Sequence, residues 1–391
     1  MRYAPVTDRL AHLGGAKWQM HLRAKAMMAA GIPLISLTIG EPDVPTPPGL
    51  IATAVAAMQA GRTTYSNGRG EPGLLAALAD RYSARRGRPI TADQVLCLPG
   101  TQTTLYAVLA GLVGPGDQVL CGDPMYATYE GVIAASGATM VPVPLRPENG
   151  FRMQAADVAA RVTPAARVLL LNTPHNPTGA VLSRDDIAAL ARVAVRHDLW
   201  ILCDEVYEDL VFDGVTFASP LDDPALAERV IVASSISKSH AAPGFRSGWC
   251  VGPAEFVARV LPLAEMMLFG NQPFIADMTA AAVSAPSPVA ADMAARFAAR
   301  ARMMRDRLDG VAGLAVNRPQ AGMFALVDVR GTGRTGDAFA NGLLDAQAVA
   351  VMPGGSFGPA LDGWLRVSLT APDAQIAEAC SRMIAYARSL T

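Results

Sequence analysis

The sequence has no excess of charge of either sign, since 33 Lys and Arg residues are balanced by 34 Asp and Glu residues. It has no basic stripe and no acidic tail, which argues against a nucleic-acid or membrane-surface partner. It also has no apolar run of about 20 residues, the length that spans a bilayer. The stretch Met1–Leu10 lacks the apolar core and the cleavage site of a signal peptide. We therefore expect neither nucleic acid nor a membrane among its partners.

Cysteine is scarce, and its five occurrences include no CxxC pair. Cys203 and Cys250 stand inside apolar runs, where a cysteine usually serves as a small buried apolar side chain. This usage is typical of a reducing compartment, so we predict a cytoplasmic location. We predict no metal site.

Apolar residues are plentiful, at 51% of the sequence, and many occur in short runs. From Val95 onward these runs alternate with stretches of helical periodicity. Arg184–His197, for example, precedes the run Trp200–Cys203. Such alternation predicts an α/β fold in which a largely parallel sheet is covered by helices.

The length of 391 residues exceeds that of a single hydrophobic core, so we expect about two domains. The alternating pattern stops near residue 285, and an Ala- and Arg-rich helix is predicted at Ala290–Leu308. We therefore assign residues 46–284 to a large domain and residues 285–391 to a small α+β domain. Residues 1–45 would form an N-terminal arm and part of the small domain.

Two glycine triplets match the dinucleotide-binding pattern G-x-G-x-x-G, one beginning at Gly68 and the other at Gly331. The first follows no buried strand, and Pro72 interrupts it. The second is not followed by a strand that ends in the acid expected to bind a ribose. We interpret both triplets as turns and predict no nicotinamide or flavin cofactor.

Polar residues directly follow several apolar runs, where an open parallel sheet binds its ligands. The run Val230–Ala233 leads to Ser235, Ser237 and Lys238, and Arg246 stands eight residues further on. Burial lowers the pKa of a lysine and makes its amine a nucleophile toward an aldehyde. The two hydroxyls and the guanidinium can bind a phosphate. Taken alone, Lys238 is equally consistent with a partly buried lysine in an ion pair.

The run Trp200–Cys203 ends in Asp204, and Tyr207 follows three residues later. A carboxylate in this place can keep a pyridine nitrogen protonated, and a nearby phenol can donate to an oxyanion of the same ring. The alternative is that Asp204 only caps the next turn.

Two further runs lead into polar segments. One precedes Asn172–Gly179, in which two prolines stiffen the loop that presents Asn176. Another precedes Gly100, Thr101 and Gln102 at the start of a predicted helix, where free backbone N–H groups favour a phosphate. An ordinary Asx turn and a chance Gly-Thr helix start remain alternatives.

Together these motifs are similar to those of the class I/II, fold-type-I pyridoxal-phosphate (PLP) aminotransferases, and the resemblance extends from Gly40 to Arg366. Ser235–Gly248 matches S-x-S-K-x(5)-G-x-R-x-G, while N-P-x-G and D-E-x-Y begin at Asn176 and Asp204 in the expected order. The resemblance implies a mainly parallel seven-stranded sheet with helices on both faces, plus a smaller α+β domain. It also implies that the domain at 46–284 binds PLP as cofactor.

The resemblance further implies roles for single residues. Lys238 would carry PLP as a Schiff base and move the substrate α-proton, while Asp204 would pair with the ring nitrogen. Tyr207 and Asn176 would contact the phenolic oxygen of the ring, and Tyr126 would stack on its face. The residues expected around the phosphate are Gly100, Thr101, Gln102, Ser235, Ser237 and Arg246.

On the substrate side, Arg366 would bind the α-carboxylate with help from the Gly40 backbone and Asn176. Tyr65 would reach the phosphate of the neighbouring subunit, so the resemblance implies a homodimer with active sites at the subunit interface. Trp18 is our candidate for a wall of the substrate pocket, and a buried anchor for the N-terminal arm is the alternative.

The implied reaction is a ping-pong transfer of the amino group from an L-amino acid to a 2-oxo acid. Phrases such as DPMYATYE and NTPHNPTGA are similar to the arginine–pyruvate branch of the family, so L-arginine with pyruvate is the first expectation. Aspartate or aromatic amino acids with 2-oxoglutarate come next. A PLP-dependent C–S β-lyase and a cofactor-sensing regulator remain alternatives, although a regulator would need room for a DNA-binding segment before the fold begins.

Overall fold

The structure is a computed structural model that describes residues 2–11, 13, 15–268 and 270–390. The strands are β1 Ile35–Leu37, β2 Val95–Leu98, β3 Gln118–Asp123, β4 Thr139–Pro144, β5 Ala166–Asn172, β6 Trp200–Asp204, β7 Val230–Ser235, β8 Gly248–Val251, β9 Ala315–Val316, β10 Phe324–Asp328, β11 Val349–Pro353 and β12 Trp364–Ser368. The helices are α1 Pro5–Leu10, α2 Gln19–Ala29, α3 Pro48–Gln59, α4 Pro72–Arg86, α5 Gly100–Leu112, α6 Tyr129–Ser136, α7 Ala155–Ala159, α8 Arg184–Arg196, α9 Ile236–Ser239, α10 Ala254–Leu263, α11 Pro273–Val283, α12 Ala290–Leu308, α13 Gly336–Gln347 and α14 Asp373–Arg388.

The large sheet has seven strands in the order β2-β8-β7-β6-β5-β3-β4. β4, β3, β5, β6 and β7 are parallel to one another, whereas β8 is antiparallel to both of its neighbours. The prediction of a mainly parallel seven-stranded sheet is therefore confirmed. The sequence analysis did not predict β8.

Helices cover both faces of this sheet, and alternate residues of each strand belong to different cores. In β6, Ile201 and Cys203 pack into one apolar core with Leu190 of α8. Leu202 of the same strand packs into the other core, together with Val108 of α5. Alternate residues of a strand point to opposite faces of the sheet, and here both faces are buried. Each of these strands is therefore a continuous apolar run in the sequence.

A second, five-stranded sheet has the order β1-β11-β12-β10-β9. β1 from the N-terminal region pairs in parallel with β11, and the remaining neighbours are antiparallel. Helices α12, α13 and α14 pack against this sheet, so the predicted smaller α+β unit is present. The helix predicted over Ala290–Leu308 has the same bounds as α12.

The segment before β1 contains, besides α1, a short turn and the helix α2. Gly15–Trp18 forms a 3₁₀ turn, and α2 begins only at Gln19. The ammonium of Lys17 binds the Glu130 carboxylate at 2.7 Å and the Ala127 carbonyl at 3.4 Å, so this turn is attached to the start of α6. Across the described ranges, no helix is both long and apolar enough to cross a bilayer.

Candidate active site

A cavity of about 270 Å³ opens beyond the carboxyl ends of β5, β6 and β7. Most of the predicted site residues line it, namely Trp18, Gly40, Thr101, Gln102, Tyr126, Asn176, Asp204, Tyr207, Ser235, Ser237, Lys238, Arg246 and Arg366. Of the remaining two, Gly100 lies directly behind the cavity at the start of α5, and Tyr65 lies outside it. The parallel strands bring these residues together because their carboxyl ends share one edge of the sheet.

Lys238 lies on the short helix α9, just after β7. Its Nζ donates a hydrogen bond to the Gly40 carbonyl at 2.8 Å. Burial lowers the pKa of Lys238 to about 8, while the nearby charge of Glu41 acts in the opposite direction. A lysine with this pKa has far more free amine near neutral pH than an ordinary lysine, and the free amine is the form that attacks an aldehyde.

Asp204, the last residue of β6, is buried at the floor of the cavity. Its Oδ2 accepts a hydrogen bond from the Tyr129 hydroxyl at 2.7 Å, and its Oδ1 accepts one from the Val206 backbone N–H at 3.1 Å. Burial raises the pKa of Asp204 to about 6, and the two hydrogen bonds oppose that shift. With this pKa the carboxyl group of Asp204 is mostly ionised at neutral pH. It is therefore able to keep a nearby ring nitrogen protonated.

Arg366 points from β12 into the cavity and is almost completely buried. Its guanidinium lies between two phenyl rings, 3.9 Å from the centroid of Phe324 and 4.3 Å from that of Phe357. It donates to the Asn176 side chain at 3.3 Å and to the Thr38 carbonyl at 2.7 Å. Its buried Nε has no hydrogen-bond partner among the described residues. Burial lowers its pKa to about 10, so it remains a cation with unused donors, as a carboxylate site requires.

Tyr207 is buried beside the same arginine and hydrogen bonds with Asn176. Burial raises its pKa, so its hydroxyl stays protonated and is able to donate. Tyr126 forms another wall and packs edge-on against Tyr129, with ring centroids 5.5 Å apart. Tyr207 thus supplies a hydroxyl donor to the cavity, and Tyr126 supplies an aromatic ring.

The opposite end of the cavity combines hydroxyls, a guanidinium and a helix N-terminus. Ser235, Ser237, Thr101 and Arg246 all line it, and the buried Thr101 hydroxyl has no hydrogen-bond partner among the described residues. Gln102, which was also predicted to bind the phosphate, accepts a hydrogen bond from the Thr128 hydroxyl at 2.8 Å. Such a cluster of donors at the start of α5 is suited to a phosphate.

Two glycines allow this end of the site to close. A Cβ on Gly100 would lie 2.2 Å from the Arg246 guanidinium. A Cβ on Gly248 would lie 2.6 Å from the Gly100 carbonyl carbon. Only residues without a Cβ let β8 and the Arg246 side chain approach the start of α5 this closely.

Tyr65, the remaining predicted cofactor contact, is 88% exposed and does not line the cavity of its own subunit. The prediction assigned it to the neighbouring subunit, so this placement leaves that prediction untested.

Three side chains that contact Asp204 or Arg366 were not predicted from the sequence. Tyr129 binds Asp204, while Phe324 and Phe357 enclose Arg366. Tyr129 belongs to the same DPMYATY segment as Tyr126, so its nearness to the site could have been inferred. The two phenylalanines have no local signal, because only the fold of the second sheet brings them together.

The cavity fits PLP in both chemistry and arrangement. An amine of lowered pKa, a buried carboxylate and a cluster of phosphate donors lie around one space, and the orphaned Thr101 hydroxyl faces the phosphate end. A further cationic donor, Arg366, comes from β12 of the second sheet and is left for a substrate carboxylate. Fold and site together define an enzyme that uses PLP to act on amino acids.

Comparison with known proteins agrees with this class. The family model for aminotransferase class I and II matches residues 32–383. The arginine–pyruvate transaminase AruH of Pseudomonas aeruginosa is 43% identical over 390 residues, which cover 100% of this chain and 99% of that protein. An aspartate/prephenate aminotransferase of Cereibacter sphaeroides is 32% identical and covers 94% of this chain and 95% of its own length. The structure of an aspartate aminotransferase from Rhizobium meliloti superimposes with a TM-score of 0.94 at 27% identity, covering 99% of both chains.

The chain belongs to the class I and II aminotransferase family. It is a PLP-dependent transaminase, as the motifs around Lys238 predicted.

Proposed function

We propose that this aminotransferase moves the amino group of L-arginine to pyruvate. The relative of 43% identity, matched over its whole length, carries that activity in its name. The observation that carries the assignment of an amino-acid transaminase site is the shared cavity of Lys238, Asp204, Arg246 and Arg366. The choice of arginine rests on the charges and shape of the same cavity.

The charges around the cavity favour a cationic or apolar donor side chain over a dicarboxylate. The cations that line it are Lys238, Arg246 and Arg366, and the proposed roles use all of them. Besides Asp204, which the proposed role pairs with the ring nitrogen, Glu41 is a carboxylate whose charge acts on Lys238. A guanidinium would be attracted by Glu41, whereas a second carboxylate would find no spare cation among the described lining residues.

The rest of the substrate wall is apolar. Trp18, Ile39, Leu105 and Phe324 line the cavity. Such a wall can pack against the methylene stem of arginine while its guanidinium extends toward the mouth. It also suits aromatic donors, which are the second candidate.

PLP, when bound, supplies an aldehyde that condenses with amines and a ring that withdraws electrons from the substrate α-carbon. We propose that Lys238 takes the α-proton of the amino acid on Nζ and returns it to the cofactor side, for which its lowered pKa suits it. Asp204 holds a proton on the ring nitrogen, and Tyr207 with Asn176 donates to the ring oxygen. Arg366 holds the α-carboxylate so that the α-proton faces the amine.

The phosphate would be held by Ser235, Ser237 and Arg246, together with Thr101, Gln102 and the backbone of Gly100. Held in this way, the cofactor would stay in place and keep the amino group between the two half-reactions. The first product would then leave before the second substrate enters, which is the ping-pong order.

We propose that the active form is a homodimer. Ile51, Val55 and Met58 are exposed along one face of α3, and Met266 and Met267 are 77% and 64% exposed next to α11. α3 packs against α11. We propose that these side chains form one apolar surface, which a second copy of the chain would cover. Tyr65 stands three residues after Arg62, which binds Asp277 of α11 at 2.8 Å, and we propose that it reaches the partner's phosphate from this side of the molecule.

The dimer proposal is tested by sedimentation of the wild type and of the double variant Met266→Glu, Met267→Glu. We expect a dimer for the wild type and a monomer with weaker PLP binding for the variant. A wild-type monomer with full activity would contradict the proposal.

Two further proposals concern the domains and the location. We place the domain boundaries at 1–45, 46–284 and 285–391, which is supported by the pairing of β1 with β11 in the second sheet. We also propose a cytoplasmic location, supported by five buried, unpaired cysteines. Limited proteolysis and fractionation of the native cells would test them.

The substrate proposal is tested with a panel of L-amino acids against pyruvate and 2-oxoglutarate, following the formation of the 2-oxo acid. We expect the highest kcat/KM for arginine with pyruvate. A clear preference for aspartate would contradict the charge argument, and a preference for aromatic donors would favour the second candidate. Release of pyruvate and ammonia from cysteine conjugates would identify a β-lyase.

A further inference from the structure

The segment that follows β6 has two faces with different partners. Asp204 and Tyr207 line the cavity. Glu205, Glu208 and Asp209 instead contact arginines near the end of α4. One short stretch therefore carries two proposed catalytic groups on one side and three ion-paired carboxylates on the other.

We call the ion-paired side chains behind the cavity the arginine clamp; they are Arg81, Arg85, Arg86, Glu205, Glu208 and Asp209. Their nitrogen–oxygen distances are Arg81–Glu208 3.4 Å, Arg81–Asp209 2.8 Å, Arg85–Glu208 2.9 Å, Arg85–Asp209 2.7 Å, Arg86–Glu205 3.1 Å and Arg86–Glu208 3.3 Å. The most deeply buried pair is Arg86 with Glu205, whose side chains are 5% and 0% exposed.

The Arg86–Glu205 pair is itself held by neighbouring groups. The guanidinium of Arg86 lies 5.6 Å from the ring centroid of Tyr82 and 5.8 Å from that of Phe217. Glu205 accepts a hydrogen bond from the Ser219 hydroxyl at 2.5 Å. Because both partners are fixed from more than one side, the pair has little freedom to move.

Only a few covalent bonds and backbone hydrogen bonds separate the clamp from the residues that line the cavity. Glu205 is the residue after Asp204, and its backbone N–H donates to the Ala233 carbonyl at 2.9 Å, so the start of the segment is joined to β7. Glu208 is the residue after Tyr207, and its N–H donates to the Glu205 carbonyl at 2.9 Å. A shift of either clamp carboxylate would therefore displace a proposed catalytic neighbour.

Stability alone is a poor explanation for such a network. Burying several charges costs much of what their attraction returns, and apolar residues of equal volume often stabilise as well. Burial raises the pKa of Glu205, and the charge of Arg86 opposes this shift. What the fixed charges do provide is a defined position for the backbone between them.

We propose that the arginine clamp is a positioning device, in which Arg86, through Glu205, sets where Asp204 and Tyr207 stand relative to PLP. None of the six side chains, all within the described residues, lines the cavity. Arg86 is therefore a positioning residue that acts through its partners. The inference rests on the roles proposed above for Asp204 and Tyr207.

The test is a double-mutant cycle on PLP affinity, measured by titrating apoprotein fluorescence in the wild type, Arg86→Met, Asp204→Asn and the double variant. We expect Arg86→Met to weaken PLP binding about tenfold in the wild type and less than about twofold in the Asp204→Asn background. Arg86→Met should also lower kcat while the KM for the amino donor changes little. An equal loss in both backgrounds, or no loss in either, would overturn the inference.

Arg300→Met is the matched control, because the Arg300 side chain is also buried, at 8% exposed, and its ion pairs are with Asp43 and Asp373. Any effect of this control on PLP affinity should be the same in both backgrounds. If Arg86→Met does not fold, Glu205→Gln keeps the volume, removes the charge and is put through the same cycle with the same criteria. An Asp204→Asn variant that binds PLP as the wild type does would instead refute the proposed role of Asp204.

Discussion

Replacement of Arg366 by lysine should weaken the binding of both substrates without weakening that of PLP. Arginine offers a planar fork of donors, held between Phe324 and Phe357 with Nε still unused, whereas lysine offers one ammonium. Loss of one charge-assisted hydrogen bond costs about 1.5–3 kcal/mol. Since about 1.4 kcal/mol is a factor of ten, the KM for the amino donor should rise roughly 10- to 100-fold.

The assay is steady-state kinetics for the amino donor and the oxo acid, alongside a PLP titration of the apoprotein. Both substrates carry a carboxylate next to the reacting carbon, so both KM values should rise. An amine that lacks this carboxylate is the control, and its slow turnover should not change. The reasoning would be refuted by a loss of PLP affinity with unchanged substrate KM values.

Three other changes test separate parts of the site. Tyr129→Phe removes a hydrogen bond that lowers the pKa of Asp204, so this pKa should rise above about 6. When the pH is lowered, the PLP affinity of the variant should therefore begin to fall at a higher pH than that of the wild type. Burial lowers the pKa of His175 from its ordinary 6.5 to about 4, so the unfolded chain takes up the proton first as pH falls. The free energy of unfolding should therefore decrease between these pH values, by up to roughly 3 kcal/mol, and urea denaturation of His175→Gln should lack this slope. Trp18→Ala should raise the KM for arginine more than that for alanine, and equal increases would indicate an anchor for the arm instead of a pocket wall.

The large sheet and much of the site were predictable because the signals are local. Each apolar run ends where the chain turns polar, and parallel strands place those ends at one edge. Asp204 ends β6, and Asn176 and Lys238 follow its neighbours β5 and β7, so the convergence of the three follows from strand order once the sheet is parallel.

The parts that escaped prediction depend on contacts between distant segments. Tyr129 and Asp204 are 75 residues apart, and their hydrogen bond requires α6 to pack beside the end of β6. Phe324 and Phe357 meet Arg366 only through the second sheet. β8 was missed because Gly248–Val251 is a short run whose antiparallel place between β2 and β7 has no sequence signature.

The central claim is that the Lys238 amine bonds to PLP and moves the substrate α-proton. The most direct measurement compares the wild type with Lys238→Ala, by recording visible absorbance after reconstitution with PLP and the rate of 2-oxo acid formation. The account predicts that the variant loses both the absorbance of the lysine-bound cofactor and turnover, while denaturation shows a folded protein. A variant that transaminates at the wild-type rate would contradict it.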